Sequence, residues 1–167
     1  MTAEKILKGK TMLIVDDEVD VLDTLVELLD MSRLDTASSF EAAKKLLESN
    51  QYDLAILDIM GVNGYGLLEI AKERNIPAIM FTAHALDKEN LLKSVEKGSA
   101  SFIPKDKMHD IASYAADVLD AIEKGKNPWV RWYDRLSGFF DKRFKGTDWR
   151  EQEDEFGKEF IKKYGLL

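Results

Sequence analysis

The segment Asp53-Leu-Ala-Ile-Leu-Asp58 joins a strand-like apolar run to a carboxylate at its last position. A buried carboxylate is unfavourable unless its charge has a partner or a function. A second run of this kind, Thr11-Met-Leu-Ile-Val15, is followed at once by Asp16, Asp17 and Glu18. If both runs are strands of one sheet, three or four carboxylates meet in one crevice. We therefore expect a cation to bind there.

Strand-like and helix-like patterns alternate from residue 10 to about residue 124. Further short strands are predicted at 34–37, 78–82 and 100–103, with amphipathic helices between the strands. Five strands separated by helices are typical of βαβ units, which build a parallel sheet covered on both faces. In such sheets ligands bind beyond the carboxyl ends of the strands.

Several residues are predicted to begin or end these helices. Ser38 or Ser39, Asp87 and Asp106 are candidate N-caps, and Gly98 is expected to end the helix before it. The last helix of this region is predicted to turn four residues inward, namely Ile111, Tyr114, Val118 and Ile122.

The predicted strands end in residues of complementary chemistry. Asp16 and Asp17 follow the first strand, Asp58 ends the third, Thr82 ends the fourth, and Lys105 lies just beyond the fifth. Three acids, one hydroxyl and one ammonium, drawn from four separate segments, are thus expected at one rim of the sheet.

With these residues in place, the chain resembles a receiver domain of the two-component response regulators over residues 10–124. The likeness rests on the pair Asp16-Asp17, on Asp58, on Thr82-Ala83, and on the segment Phe102-Ile-Pro-Lys105. It implies a flavodoxin-like, doubly wound α/β fold with strand order 2-1-3-4-5.

The resemblance also implies a phosphoacceptor site. Asp58 would accept a phosphoryl group from a phosphohistidine on a sensor histidine kinase or a phosphotransfer protein. Mg²⁺ would be held by Asp16, Asp17, Asp58 and the main-chain carbonyl of Met60, an oxygen set of the kind that this ion prefers. Glu18 is interpreted as an acidic residue of the first helical turn, where the helix dipole favours a negative charge.

Further residues have implied roles around that site. Lys105 would supply a positive charge to a phosphoryl oxygen, and Thr82 would give it a hydroxyl. Phe102 would be an aromatic switch residue, with ordinary core packing as the alternative. Met60 and His84 would border the site and tune hydrolysis; for His84 the alternative is a plain loop residue.

Two segments depart from the common receiver pattern. Proline precedes Lys105, as Pro104, where the family usually has a proline after the lysine. The methionine-proline turn expected after the acceptor is replaced by Gly61-Val-Asn-Gly64, which we expect to be flexible.

The composition indicates where the protein is found and which partners it is expected to have. The chain has 167 residues, a net charge of −7 and no cysteine, and it lacks an apolar leader or a run long enough to span a bilayer. We expect a soluble cytoplasmic protein. The acidic excess lies in residues 1–125, which argues against a nucleic-acid partner.

The chain is predicted to divide into a receiver domain, 1–125, and an amphipathic aromatic extension of two helices, 126–167. Asn127 is a candidate cap with Pro128 at the first helical position, and Asp148 with Glu151 can cap the second helix. Three uses of the aromatic face compete: folding back onto the receiver, binding a second copy or another protein, and, disfavoured by the mixed charge, adhesion to a membrane surface.

The predicted function is phosphorylation-dependent signalling, in which Mg²⁺-assisted phosphorylation of Asp58 changes partner binding or oligomerisation. The protein is expected to be a signalling phosphoacceptor that assists its own phosphotransfer and dephosphorylation, rather than an enzyme. The alternative is an interaction scaffold with a receiver fold that works without phosphorylation.

Overall fold

A computed structural model describes residues 1–83 and 88–143 of the chain. Five parallel strands form one sheet in the order β2-β1-β3-β4-β5. The predicted flavodoxin-like order is therefore confirmed. The strands are β1 (Thr11–Val15), β2 (Arg33–Ala37), β3 (Leu54–Asp58), β4 (Ala78–Thr82) and β5 (Ser101–Pro104).

The central strands are apolar because the sheet is covered on both faces. Every residue of β3 and of β4 is buried, whereas the edge strand β2 is buried only at Ala37. The parallel register pairs Val15 with Leu57, Asp58 with Phe81, and Thr82 with Pro104. Consequently the carboxyl ends of β1, β3, β4 and β5 lie along one rim.

Helices fill the connections and pack in two groups. One group contains α1, α2 and α6, and the other contains α3 and α4, while α5 packs on β5. The helices are α1 (Ala3–Leu7), α2 (Val19–Leu28), α3 (Phe40–Ser49), α4 (Gly64–Glu73), α5 (Lys88–Glu96), α6 (Ile111–Glu123) and α7 (Pro128–Arg143).

Several helix ends follow from local chemistry, as predicted. The Ser39 hydroxyl accepts a hydrogen bond from the Ala42 amide at 3.2 Å. The Asn127 side chain accepts one from the Trp129 amide at 3.0 Å, and α7 begins at Pro128. Gly98, at a φ of +88°, follows the end of α5, a conformation that glycine adopts without strain. Asp87 lies outside the described residues.

Three details of the predicted helices are wrong or missing. Asp106 does not cap α6, because residues Lys105–Asp110 form a 3-10 helix and α6 begins only at Ile111. Ile122 is 45% exposed, and Ala121 takes the inward position instead. Helix α1 was not predicted from the sequence; its Leu7 is fully buried and contributes to the core.

The start of α7 folds back onto the sheet and α6. Trp129 and Trp132 are 2% and 4% exposed and belong to the same hydrophobic core as the strands. Of the three competing uses of the aromatic face, folding back is thus observed for this first part of the extension. The second predicted helix, with Asp148 and Glu151, lies outside the described residues. Among the helices that the structure describes, none has the length and apolar character needed to cross a bilayer.

Candidate functional site at the carboxyl rim of the sheet

The carboxyl rim brings an ammonium group onto two buried carboxylates. Lys105 Nζ lies 2.8 Å from Asp16 Oδ2 and 3.5 Å from Asp58 Oδ1. The side chains of Asp16 and Asp58 are 1% and 6% exposed. Lys105 reaches this position because it directly follows β5, which lies beside β4 in the sheet. The structure thus brings together three of the residues predicted from separate strand ends.

One lysine does not neutralise the acids around it. Burial and the neighbouring Asp16 charge raise the pKa of Asp58 to about 6, although Lys105 and the Gly61 amide oppose this shift. Burial likewise raises the pKa of Asp16 above its ordinary value. Burial lowers the pKa of Lys105, but its close contact with Asp16 and the other nearby carboxylates outweigh burial, so the net shift is upward. The rim therefore holds excess negative charge.

The glycine-containing turn after β3 shapes the approach to Asp58. The amide of Gly61 donates a hydrogen bond to Asp58 Oδ2 at 3.2 Å. A side chain at Gly61 would clash with the Asp17 carboxylate, since an added Cβ would lie 2.1 Å from Asp17 Oδ1. At Gly64 an added Cβ would lie 2.2 Å from the main-chain oxygen of Asp58. Gly64 is thus required for close packing of the main chain, whereas a side chain at Gly61 would displace the Asp17 carboxylate, in a turn whose Val62 is buried.

Asp58 lies at the base of an open cleft of about 260 Å³. The Met60 side chain, which is 69% exposed, and the small Ala83 both line this cleft. The cleft is lined by Asp17, Glu18, Asp58, Met60, Gly61, Ala83 and Lys105. Asp58 can therefore be reached from solvent through this opening.

Glu18 belongs to this cleft in a way that its sequence position did not indicate. Its side chain lies 3.3 Å from Lys105 Nζ and is 60% exposed. Its amide donates a hydrogen bond to Asp16 Oδ1 at 2.9 Å. The sequence signal was its position directly after the acid pair, which also suits the start of a helix, so the contact with Lys105 could not be predicted.

The other candidate residues differ in their relation to the cleft. Thr82 ends β4 and is 1% exposed, and Ala83 follows it at the cleft wall. Phe102 is fully buried in β5. His84 lies outside the described residues, so its suggested tuning role stays a prediction.

The acids at the rim fit a magnesium ion. Carboxylate oxygens of Asp16, Asp17 and Glu18 lie within 4.8 Å of one another. Asp16 Oδ2 is buried and has no well-aligned hydrogen bond, although the Lys105 ammonium is close to it. Hard oxygen donors with incomplete hydrogen bonding and excess negative charge are suited to Mg²⁺, which takes one or two carboxylates and keeps several waters.

The strand order and the acidic pocket together define a class of signalling domain. In this class a strand-end aspartate and a lysine lie beside the pocket. The family model for the response regulator receiver domain matches residues 12–116. The chain therefore belongs to the response regulator receiver domain family, whose members are signalling phosphoacceptors.

Curated relatives are response regulators from distant organisms. The chain is 36% identical over 100 residues to the transcriptional regulatory protein CpxR homolog of Haemophilus influenzae, a match covering 56% of this chain and 43% of that protein. It is 32% identical over 108 residues to the two-component response regulator ARR18 of Arabidopsis thaliana, covering 61% of this chain and 17% of that one. The chain thus spans less than half the length of these relatives.

Solved structures show the same fold. A CheY-like response regulator receiver domain from Methanospirillum hungatei superimposes with a TM-score of 0.65 and 29% identity, covering 71% of this chain and 99% of that chain. NtrX from Brucella abortus gives a TM-score of 0.62 and 26% identity, with 70% and 28% coverage.

Proposed function

We propose that this protein is a phosphoacceptor in a His-to-Asp phosphorelay, and that Mg²⁺-dependent phosphorylation of Asp58 changes its partner binding or oligomerisation. The observation that carries the proposal is the position of Lys105, whose ammonium lies 3.5 Å from the Asp58 carboxylate at the base of an open cleft. A buried nucleophile with a cation beside it suits a reaction that brings negative charge into the site.

In the proposed transfer, one Asp58 carboxylate oxygen attacks the phosphorus of a phosphohistidine. The O–P bond forms as the N–P bond breaks, and the imidazole leaves with the bonding electron pair. Gly61 holds Oδ2 through its amide hydrogen bond, while Lys105 faces Oδ1. These two contacts fix the carboxylate, and the lysine can follow the charge onto the phosphoryl oxygens.

We propose that Asp16, Asp17, Asp58 and the main-chain carbonyl of Met60 hold the Mg²⁺. When bound, the ion supplies charge neutralisation between the carboxylates and the incoming phosphoryl group. Asp17 lies against the turn that carries Met60, because Gly61 leaves room for its carboxylate. Asp16, which already contacts Lys105, contributes through the buried charge at the back of the site.

The proposed switch links the acceptor to the sheet edge. Thr82 would turn its hydroxyl toward the phosphoryl group, and Phe102, on the strand that pairs with Thr82's strand, would respond. Met60 at the cleft margin and His84 are proposed to tune hydrolysis by controlling the access of water.

We further propose a donor for the phosphoryl group and a role for each part of the chain. The phosphoryl donor would be a sensor histidine kinase or a phosphotransfer protein in the cytoplasm. Residues 1–125 would form the receiver, and residues 126–167 would carry the extension through which a second copy or a downstream protein is reached.

Phosphorylation by acetyl phosphate tests the proposal. With Mg²⁺, intact-mass analysis of the full chain should show one phosphoryl addition, lost in Asp58→Asn and without Mg²⁺. Asp53→Asn is the matched control, since Asp53 lies just before the opposite end of β3 and accepts a hydrogen bond from the Thr11 amide. An Asp53→Asn chain that labels normally localises the reaction. No addition to the unaltered chain would contradict the proposal and favour a scaffold.

A further inference from the structure

Helix α7 makes direct hydrogen bonds to the backbone near the strand that carries the site lysine. Trp132 Nε1 donates to the main-chain oxygen of Phe102 at 2.6 Å, and Trp129 Nε1 donates to that of Ser99 at 2.9 Å. Both indoles are almost fully buried, and their rings meet edge to face at 5.1 Å. A buried indole N–H that meets a buried carbonyl is both specific and costly to lose.

The strand involved is short and lies at the edge of the sheet. β5 has four residues and pairs with β4 as the last strand in the order. Phe102 is the second residue of β5, and Lys105 is the first residue after the strand ends. A short edge strand has half the ladder contacts of a central strand, so contacts from outside contribute much to its position.

A second set of contacts attaches α7 to α6. Arg131 Nη2 lies 2.7 Å from Asp120 Oδ2, and Arg135 pairs with Asp117. The Arg135 side chain is 46% exposed. An exposed ion pair such as Arg135–Asp117 contributes little. Both ion pairs reach α6, so the described hydrogen bonds from α7 to residues 99–104 come from the buried tryptophans.

From this arrangement we propose that α7 is an intramolecular positioning element for the phosphoacceptor site. Trp129 and Trp132 hold the edge strand so that Lys105 faces Asp58, and phosphorylation of Asp58 in turn tightens the docking of α7. The coupling is reciprocal: if docked α7 favours the arrangement that receives the phosphoryl group, the phosphoryl group must favour docked α7 by the same factor.

The position of Lys105 gives the coupling its sign. In the docked chain its ammonium is already 3.5 Å from Asp58, the group that is to become more negative. Trp132 binds the main-chain oxygen of Phe102, three residues before this lysine. Docked α7 therefore stabilises an arrangement prepared for charge on Asp58. The inference rests on the proposed function and adds to it the element that positions the lysine.

The first test compares labelling rates in acetyl phosphate and Mg²⁺. Trp132→Phe retains the ring and removes the N–H donor. It should slow phosphorylation per folded molecule about two- to tenfold, the range that one net hydrogen bond supports. Arg135→Gln is the matched control, because it removes a contact to α6 and leaves the indole hydrogen bonds to Ser99 and Phe102 in place. Its rate should stay within about twofold of the unaltered chain.

The second test uses the unaltered chain, so it stays decisive if Trp132→Phe does not fold. Hydrogen exchange of the α7 amides at 132–135 is followed with Mg²⁺ alone and with Mg²⁺ plus beryllium fluoride, which mimics a phosphoryl group on a carboxylate. Protection should rise about two- to tenfold with the mimic and should not rise in Asp58→Asn.

The outcomes separate this inference from the proposed function. An unaltered chain that takes no phosphoryl group contradicts both. A chain that labels normally, with Trp132→Phe labelled at the same rate and α7 protection unchanged or lowered by the mimic, contradicts only the positioning role of α7. If α7 merely stabilised the fold, Trp132→Phe would lower the unfolding midpoint and leave the rate per folded molecule intact.

Discussion

The carboxyl rim and the outer edge of β5 satisfy their buried polar groups in opposite ways. At the edge, two indole N–H groups meet two main-chain oxygens, and no net charge is buried. At the rim, Asp16 and Asp58 are buried around one lysine, and burial raises the pKa of both. We therefore expect the edge contacts to contribute to folding stability and the buried charge of Asp58 to reduce it. Such an arrangement is expected where a site has a function to perform.

The largest predicted effect is at the edge. Trp132→Ala should lower the free energy of unfolding by about 3–5 kcal/mol, because it leaves a cavity in the core and an unpaired Phe102 carbonyl. Urea unfolding followed by circular dichroism measures this. A loss below about 1 kcal/mol would be that of a surface position and would remove the contrast between the two regions.

At the rim the predicted effect has the opposite sign. Without divalent ions at pH 7, Asp58→Asn should raise the free energy of unfolding by roughly 1–3 kcal/mol, because it removes a buried charge. The pKa of Asp58 is raised from 3.8 to about 6. In the unaltered chain this group therefore contributes less stability as the pH rises between these values.

The sign of the Asp58→Asn effect can be checked by repeating the unfolding measurements at several pH values between pH 4 and pH 7. The difference between Asp58→Asn and the unaltered chain should be small near pH 4 and should grow toward pH 7. A variant that is less stable than the unaltered chain at pH 7 would show that the rim acids are structurally favourable, as the edge contacts are.

Magnesium should reduce the difference in stability between the rim and the edge, because it neutralises the buried acids of the rim. The ion should stabilise the unaltered chain, since a ligand that binds the folded state raises its stability by mass action. Asp17→Asn should weaken Mg²⁺ binding at least about tenfold, as the loss of a carboxylate ligand implies. Glu18→Gln is the matched comparison and should weaken it less, because this side chain is 60% exposed and already pairs with Lys105. Isothermal titration calorimetry measures the Mg²⁺ affinity of both variants. Equal losses of affinity would mean that Glu18 binds the ion as directly as Asp17 does.

The smallest effect is expected at the exposed part of the α7 contact. Arg135→Gln should change the free energy of unfolding by less than about 1 kcal/mol, and less still in high salt. A loss comparable to that of Trp132→Ala would mean that ion pairs to α6, and not the indole contacts with Ser99 and Phe102, hold the helix.

The rim was predictable from the sequence, and the edge was not. Asp58 ends a strand pattern, and Asp16 and Lys105 each directly follow one. Parallel strands bring their carboxyl ends to one rim, so the proximity of these residues follows from topology alone. Trp129 and Trp132 have helical spacing, which indicates a face but not the surface that the face contacts. From the sequence, folding back onto the receiver was therefore only one of three possible uses of the aromatic face.

Other details escaped prediction for local reasons. Asp106 has the chemistry of a cap, but the 3-10 helix over Lys105–Asp110 delays the start of α6. Ile122 has the right spacing, yet the packing places Ala121 inward and leaves Ile122 45% exposed. Leu7 lies in a helix of five residues, too short to give a periodic pattern. In each case tertiary packing overrides a weak local signal.

The most direct measurement is the location of the phosphoryl group itself. The full chain is incubated with acetyl phosphate and Mg²⁺ and reduced with borohydride, which converts an aspartyl phosphate to homoserine, and the peptides are sequenced by tandem mass spectrometry. Homoserine is expected at position 58, with Asp16 and Asp17 unchanged. Reduction at another acid, or no reduced residue, would contradict the assignment of Asp58 as the phosphoacceptor.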